Sequence, residues 1–136
     1  MSTQPPSKPI DWSKLLSAGP YPIEAFNFIR EGLSYAAERV HGDASETAEE
    51  DRHVSGQQLC LGLRDFALER YGLLAPTVLS HWHVHRTDDF GRIVFAMIDA
   101  GLMTSTDEDS IEDFRAVFDF GEAFCRQELL QAIGAN

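Results

Sequence analysis

The sequence has 136 residues, of which 43% are hydrophobic and 24% are charged, and its formal net charge at pH 7 is −11. This length and apolar content predict one globular domain with a single core. The acid excess disfavours nucleic-acid and anionic-lipid partners, because both require clustered Lys and Arg. No apolar run approaches the ~20 residues of a membrane-spanning helix, and residues 1–9 lack the hydrophobic stretch of a secretory signal. We therefore expect a cytoplasmic protein without nucleic-acid or membrane partners.

The first 20 residues differ in composition from the rest of the chain. They are rich in residues that interrupt regular structure: Pro5, Pro6, Pro9, Gly19 and Pro20. We therefore expect residues 1–20 to form a flexible N-terminal leader and residues 21–134 to form a single helical domain. Within the leader, Trp12 and Leu15-Leu16 predict one helical turn that packs back on the domain.

Apolar residues at three- and four-residue steps predict a first long helix from about Pro22 to Val40. Gly42 is a typical residue to end it. Residues 43–52 follow, with five acids and no large apolar residue. Such a composition predicts an acidic, solvent-exposed loop.

Three further helices follow this loop. Ser55 and Gln58 have the spacing of a capping box, which predicts a second helix that ends at Gly72. A third, shorter helix is predicted over residues 76–82. A fourth is predicted over residues 87–100, because its first turn is acidic and its apolar residues repeat at helical steps.

The hydrophobic period then changes from helical to alternating. In this segment Phe114, Ala116, Phe118 and Phe120 alternate with Arg115, Val117 and Asp119. This pattern predicts a strand that pairs with residues 102–106 in a β-hairpin, closed by the acidic segment 107–113. The alternative is one helix capped at Ser110. A last helix is predicted over residues 122–133.

The fold class that these elements predict is mainly α, or α+β: a compact bundle of four to five helices with a short C-terminal β-hairpin. A short helix, a turn, a longer helix and a hairpin over residues 75–120 have the order of a winged helix-turn-helix. The charge of this region argues against DNA binding, since the wing tip at residues 107–113 would contain five acidic residues and no basic residue.

Three alternating histidines, His81, His83 and His85, are the most conspicuous candidate metal ligands. On a strand they would share one face, but on a helix residues two apart point away from each other. Only His81 and His85 could then bind the same ion. Turn residues between two helices are the competing interpretation, and the sequence implies no committed metal site.

No catalytic motif is present. The sequence lacks a G-x-S-x-G nucleophile elbow, a phosphate-binding glycine loop and a dinucleotide fingerprint. Cys60 and Cys125 lie in helical patterns without a nearby cysteine, which predicts small buried side chains. The sequence therefore predicts no cofactor, and it favours a protein that is not an enzyme.

Short motifs between residues 21 and 124 nevertheless form a recognisable set: Val54-Ser-Gly-Gln-Gln-Leu59, Arg64-Asp-Phe-Ala67, Tyr71-Gly72, Val78-Leu79 with Trp82, Asp89-Phe-Gly-Arg-Ile-Val-Phe95, Ala100-Gly-Leu102, Glu112-Asp-Phe114 and Phe118-Asp-Phe120. Together they resemble a family of small uncharacterised bacterial proteins with no assigned activity. The resemblance implies one domain and no mechanism. It also implies that relatives usually have a glycine at the position of His83.

The function that these observations favour is a non-catalytic protein-interaction or regulatory module, with a protein partner or self-association through a helix face or a hairpin edge. The alternative is a metal-binding protein or metal-dependent enzyme centred on His81 and His85. A winged-helix DNA-binding regulator is the third hypothesis. If the folded chain has a functional site, we expect several chemically important side chains to lie close together there. Apart from the histidines, the candidates are Tyr35, Arg64, Trp82 and Arg92.

Overall fold

The computed structural model describes residues 1–3, 11–42 and 53–124, and the structure is mainly helical, as predicted. The elements in chain order are β1 (Ser2–Thr3), α1 (Trp12–Leu16), α2 (Ile23–His41), α3 (Gly56–Tyr71), a 3-10 helix (Gly72–Leu74), α4 (Ala75–His81), α5 (Thr87–Asp99), β2 (Met103–Thr104), a second 3-10 helix (Ile111–Phe114) and α6 (Phe120–Ala123). The predicted acidic loop at 43–52 and residues 125–133 of the last predicted helix lie outside the described residues.

The two longest helices begin and end close to where the sequence places them. α2 starts after Pro22 and ends at Gly42, which has φ 82°, a backbone conformation that favours glycine. At the start of α3, the Ser55 hydroxyl accepts from the backbone N–H of Gln58, and the Gln58 side chain accepts from the backbone N–H of Ser55. Gly72, with φ 55°, ends α3. Local capping therefore determines both helices.

α2 and α3 pack closely because a glycine lies at their contact. A Cβ atom on Gly62 would lie 2.5 Å from the Cβ atom of Ala36, which is closer than two carbon atoms can approach without displacement. The helices run antiparallel, since Ala36 faces Gly62 whereas Glu31, earlier in α2, faces Arg70, later in α3. This register places specific side chains of the two helices side by side.

α5 is anchored by the buried carboxylate of Asp89. Its Oδ2 atom accepts from the backbone N–H groups of His85 at 2.8 Å and Arg86 at 3.2 Å. Its Oδ1 atom accepts from the Tyr21 hydroxyl at 2.5 Å and from Arg92 at 3.2 Å. Burial and the hydrogen bond to Asp89 raise the pKa of Tyr21 to about 12. The predicted helix-capping role of Asp89 is confirmed.

Residues 1–3 and 11–20 of the predicted leader are described by the structure, and parts of both segments contact the domain. Ser2–Thr3 pairs antiparallel with Met103–Thr104, and Met1 is buried with its amino group bonded to the Val54 carbonyl at 3.0 Å. α1 packs against α5 through the buried Leu15, as predicted, whereas Trp12 and Leu16 are 55% and 76% exposed. The strand pairing joins positions about 100 residues apart, which local sequence patterns do not show.

The hairpin predicted over residues 102–120 is wrong, because its first strand has another partner. β2 pairs with β1, and residues 114–120 form no strand beside it. Backbone N–H groups of the predicted second strand instead donate to side chains in the first turn of α5. The Ala116 N–H donates to the Asp88 carboxylate at 3.4 Å, and the Val117 N–H donates to the Thr87 hydroxyl at 3.1 Å. The described residues therefore contain no wing, although α4, a turn and α5 follow the predicted order.

The alternative, a helix capped at Ser110, is correct for a single turn. The Ser110 hydroxyl accepts from the Glu112 N–H, but the 3-10 helix ends at Phe114, since Ala116 has φ 49°. Phe114 is fully buried between two glycines. A Cβ atom on Gly91 would lie 2.8 Å from that of Phe114, and one on Gly56 would lie 3.1 Å from the Phe114 ring. Gly91 thus permits close packing, as its position in the predicted helix indicates.

Candidate functional site

The histidine run lies at the end of α4 and in the turn after it. His81 is the last residue of α4, and His81, His83 and His85 are all exposed. Within residues 1–3, 11–42 and 53–124, no three His, Cys, Asp or Glu side chains form a group that could hold a metal ion. The geometry therefore adds no further ligands to the predicted His81–His85 pair.

His83 has a structural property that its side chain does not suggest. Its φ is 63°, in the left-handed region that favours glycine. A glycine at this position would adopt this conformation without steric cost. The turn geometry thus accounts for position 83 without a ligand.

Cys60 is the cysteine that the structure describes, and it is fully buried in α3. Burial raises the pKa of its thiol, with a smaller contribution from the Asp88 charge. A protonated, inaccessible thiol is a poor nucleophile. Cys60 is a packing residue, as its sequence position predicts, and Cys125 lies outside the described residues.

The side chains expected to converge separate into different places. Arg92 joins Tyr21 and Asp89 in the cluster that anchors α5. Trp82 is buried against Phe28, with ring centroids 5.5 Å apart. The remaining two, Tyr35 and Arg64, lie on the surface where α2 and α3 meet. That surface holds the most organised group of exposed side chains in the described part of the chain.

We call this surface the α2–α3 face and define it by an aromatic centre, four charged corners and an apolar groove: Tyr35 and Phe66; Glu31, Arg39, Asp65 and Arg70; Val40 and Leu61. At its centre the Tyr35 and Phe66 rings are 5.2 Å apart, and both are half-buried. Phe66 also stacks on the buried ring of Phe28 at 5.2 Å. The exposed aromatic centre is therefore continuous with the core.

Each helix places one arginine over its own aromatic ring. The guanidinium carbon of Arg39 lies 5.5 Å from the centroid of Tyr35, and that of Arg70 lies 5.4 Å from the centroid of Phe66. In both cases the arginine follows the ring by four residues, which puts the two side chains on one helix face. The attraction between cation and ring electrons favours a position of each guanidinium group close to its ring.

Both arginines also pair with an acid of the other helix. Arg39 of α2 pairs with Asp65 of α3, and Arg70 of α3 pairs with Glu31 of α2. Partial burial would raise the pKa of the Asp65 carboxyl, but Arg64 and Arg39 outweigh it and lower that pKa. Exposed ion pairs of this kind contribute only about 0–1 kcal/mol to stability. Their regular arrangement therefore has little explanation in folding.

The groove lies at the Arg39 end of this face. It encloses about 300 Å³, its floor is Ala36 and Gly62, and its walls include Val40 and Leu61, each 40% exposed. The close approach of the helices at Gly62 leaves a shallow depression. Two exposed aliphatic side chains around a small-residue floor suit an apolar side chain from another molecule.

A second groove, of about 370 Å³, lies where residues 116–120 cross the start of α5. Its charged lining is mixed, with His85 and Arg86 opposite Asp88 and Asp119. Asp88 already accepts the Ala116 N–H, and Asp119 caps α6 by accepting from Glu122. The carboxylates that line this groove thus stabilise the local backbone. Among the residues that line the groove, no nucleophile lies beside a base.

The sequence contained one readable signal for the α2–α3 face. An aromatic residue followed four residues later by arginine occurs in both helices, as Tyr35 with Arg39 in α2 and as Phe66 with Arg70 in α3, and α2 contains it once more as Phe26 with Arg30. Sequence analysis identified Tyr35 and Arg64 individually and missed the repeat. The pairing of each arginine with the other helix depends on the antiparallel register, which the sequence alone does not provide.

No protein-family model, curated protein or solved structure matches the chain. No helix among the described residues has both the length and the apolar character to cross a membrane. The proposal of a function therefore depends on the geometry and chemistry of the α2–α3 face.

Proposed function

We propose that this chain is a non-catalytic protein-interaction module that binds its partner through the α2–α3 face. The observation that supports the proposal most directly is the combination of half-buried aromatic rings, arginines that contact those rings and an apolar groove on one surface. Two helices that pack tightly at Gly62 hold these groups in fixed positions.

The composition of the face is that of energetically important protein interfaces. Tyr and Arg are enriched among the residues that dominate binding energy, and apolar pockets near them receive side chains of the partner. Tyr35 and Phe66 are half-buried by the fold itself, so further burial by a partner costs little side-chain entropy. Each arginine contacts a ring of its own helix and an acid of the other helix, which restricts its side chain before binding.

The distribution of charge also favours this face over the rest of the described surface. The helices α2 and α3 together contain five acids and four arginines, whereas residues 107–122 contain seven acids and one arginine. A protein partner therefore meets little net charge on the α2–α3 face. The remaining acid excess repels nucleic acid, which weakens the DNA-binding hypothesis.

The metal-binding hypothesis centred on His81 and His85 has less support. Both side chains are exposed in the structure, and the described neighbours of this segment do not complete a ligand set. A zinc site needs three or four ligands in a defined geometry. The interaction hypothesis needs no group beyond those already placed on the α2–α3 face.

Site-specific photocrosslinking in the native cell tests the proposal. A photoreactive phenylalanine analogue at Gln58, which lines the groove, should give one discrete covalent adduct. The same analogue at Thr77, exposed on α4, is the matched control and should give none. Leu61→Asp should abolish the Gln58 adduct by placing a charge in the groove. No adduct at Gln58, or equal adducts at both positions, would contradict the proposal.

A further inference from the structure

We propose that the partner of the α2–α3 face is a second copy of this chain, bound face to face in a twofold-symmetric dimer. This inference rests on the proposed function and names its partner. It depends on the positions of the four charged side chains at the corners of the face. Within one chain they form two ion pairs, Arg39 with Asp65 and Arg70 with Glu31. The same four charges are complementary to themselves across a twofold axis.

The corners of the face form a checkerboard of charge. At one end the cation Arg39 lies on α2 beside the anion Asp65 on α3. At the other end the order is reversed, with the anion Glu31 on α2 beside the cation Arg70 on α3. Along each helix and across each end, neighbouring corners therefore have opposite charge.

A checkerboard of this kind meets opposite charge after either of two rotations. A twofold axis in the interface and parallel to the helices places α2 on the second copy's α3, so Arg39 meets Asp65 and Arg70 meets Glu31. An axis in the interface and perpendicular to the helices places each helix on its own copy, so Arg39 meets Glu31 and Arg70 meets Asp65. An isologous dimer requires such self-complementarity of one patch.

The apolar groups of the face fit the same arrangement. An axis near the centre of the face brings Tyr35 and Phe66 of the two copies together, because these rings lie between the charged ends. Aromatic rings buried at the middle of an interface contribute most of its affinity, and surrounding polar groups exclude water. Val40 and Leu61 extend this apolar centre toward one end.

The other charged side chains near the face leave it almost neutral. Arg64 lies beside Asp65, and Glu69 lies beside Tyr35, so one further cation and one further anion are added. Two chains of net charge −11 repel each other, and a neutral contact surface adds least to that repulsion. A second copy therefore matches this face in charge at every corner.

Sedimentation equilibrium on the full purified chain tests the inference. At about 100 μM, a dimer should give twice the chain mass of 15.2 kDa. The double variant Arg39→Glu with Arg70→Glu makes all four corners negative, and its dissociation constant should rise at least tenfold. Circular dichroism and the urea midpoint establish that each variant is folded. A folded wild-type chain that stays monomeric at this concentration would overturn the inference.

Charge exchange provides the matched control. When both pairs are exchanged, by Arg39→Glu with Asp65→Arg and Glu31→Arg with Arg70→Glu, the checkerboard is inverted but still self-complementary. This variant should dimerise with itself and should not mix with the wild-type chain. Failure of the folded variant to self-associate, or free mixing with wild type, would overturn the charge-based contact.

Exchange of the Arg39–Asp65 pair alone then identifies the axis. After this exchange, like charges meet only in the dimer whose twofold axis is perpendicular to the helices. Loss of the dimer therefore supports the perpendicular axis, and retention of the dimer supports the parallel axis. The photocrosslink at Gln58 separates this inference from the proposed function. An adduct with a different protein and no dimer would overturn self-association alone, whereas the absence of every adduct would overturn both.

Discussion

The helix pair α2–α3 and the segment of residues 103–124 are held together by different means. α2 and α3 are long helices that meet through Gly62 and expose aromatic rings and arginines at their junction. Residues 103–124 form only a two-residue strand, one 3-10 turn and the four-residue helix α6. The first region shows how close packing creates a fixed surface, and the second shows how polar caps organise a segment with little regular structure.

The acids of the C-terminal segment have a structural role that charge counting does not show. The Asp109 carboxylate accepts from the Thr106 N–H at 2.9 Å and from the Met1 amino group at 3.1 Å. Asp113 accepts from the Ser110 N–H, and Asp119 accepts from the Glu122 N–H, each at 3.1 Å. Several acids of this apparently solvated segment thus fix its backbone.

Removal of the Phe114 ring should show how far the C-terminal segment depends on packing. Phe114 is completely buried against Gly56 and Gly91, so Phe114→Ala should leave a cavity and lower the free energy of unfolding by about 3–5 kcal/mol. Urea unfolding followed by circular dichroism measures the change. Such a loss would make this one ring the anchor of the segment.

Ile111→Ala is the matched control, since Ile111 lies in the same 3-10 turn but is 47% exposed. It should cost less than about 1 kcal/mol. If Phe114→Ala costs no more than Ile111→Ala, the polar caps alone hold the segment, and the contrast between the two regions becomes sharper.

A methyl group at Gly62 should disturb the α2–α3 contact. The added Cβ would lie 2.5 Å from that of Ala36, and overpacking typically costs about 1–3 kcal/mol. Alanine regains about 1 kcal/mol of helix propensity, so Gly62→Ala should lower stability by up to about 2 kcal/mol. The urea midpoint measures this loss.

The reciprocal change tests whether the contact itself is responsible. Ala36→Gly removes the methyl group that Gly62→Ala meets, so the double variant should recover most of the lost stability. A double-mutant cycle gives the interaction energy between the two sites. If the stability effects of the two substitutions are additive, the contact between residues 36 and 62 does not limit how closely the helices pack. The α2–α3 face would then be less rigid than the structure indicates.

The contrast between the two regions also explains which parts of the fold were predictable. Ser55, Gln58, Gly42 and Gly72 act within one turn of their own helix, so their sequence spacing is sufficient. Residues 102–120 depend on partners far away in sequence. β2 pairs with Ser2–Thr3, which no local pattern shows. The alternation from Phe114 to Phe120 therefore predicted a strand that does not form.

The candidate site was predictable to the same limited extent. Sequence analysis named Tyr35 as one of the side chains expected to converge at a site. Its neighbour Phe66 belongs to another helix, 31 residues later, and the two rings meet only in the antiparallel register. The charged checkerboard likewise exists only after α2 and α3 have packed.

The smallest expected effect concerns a backbone constraint in the C-terminal segment. Ala116 has φ 49°, which costs a non-glycine residue about 1–2 kcal/mol. Glycine removes this cost but adds about 0.5–1 kcal/mol of unfolded-state entropy, so Ala116→Gly should stabilise the chain by about 0.5–1 kcal/mol. Ala100→Gly, at φ −82°, is the matched control and should destabilise it. If both variants lose stability equally in thermal unfolding, the Ala116 N–H bond to Asp88 does not hold the backbone in this conformation, and the segment is less ordered than its caps suggest.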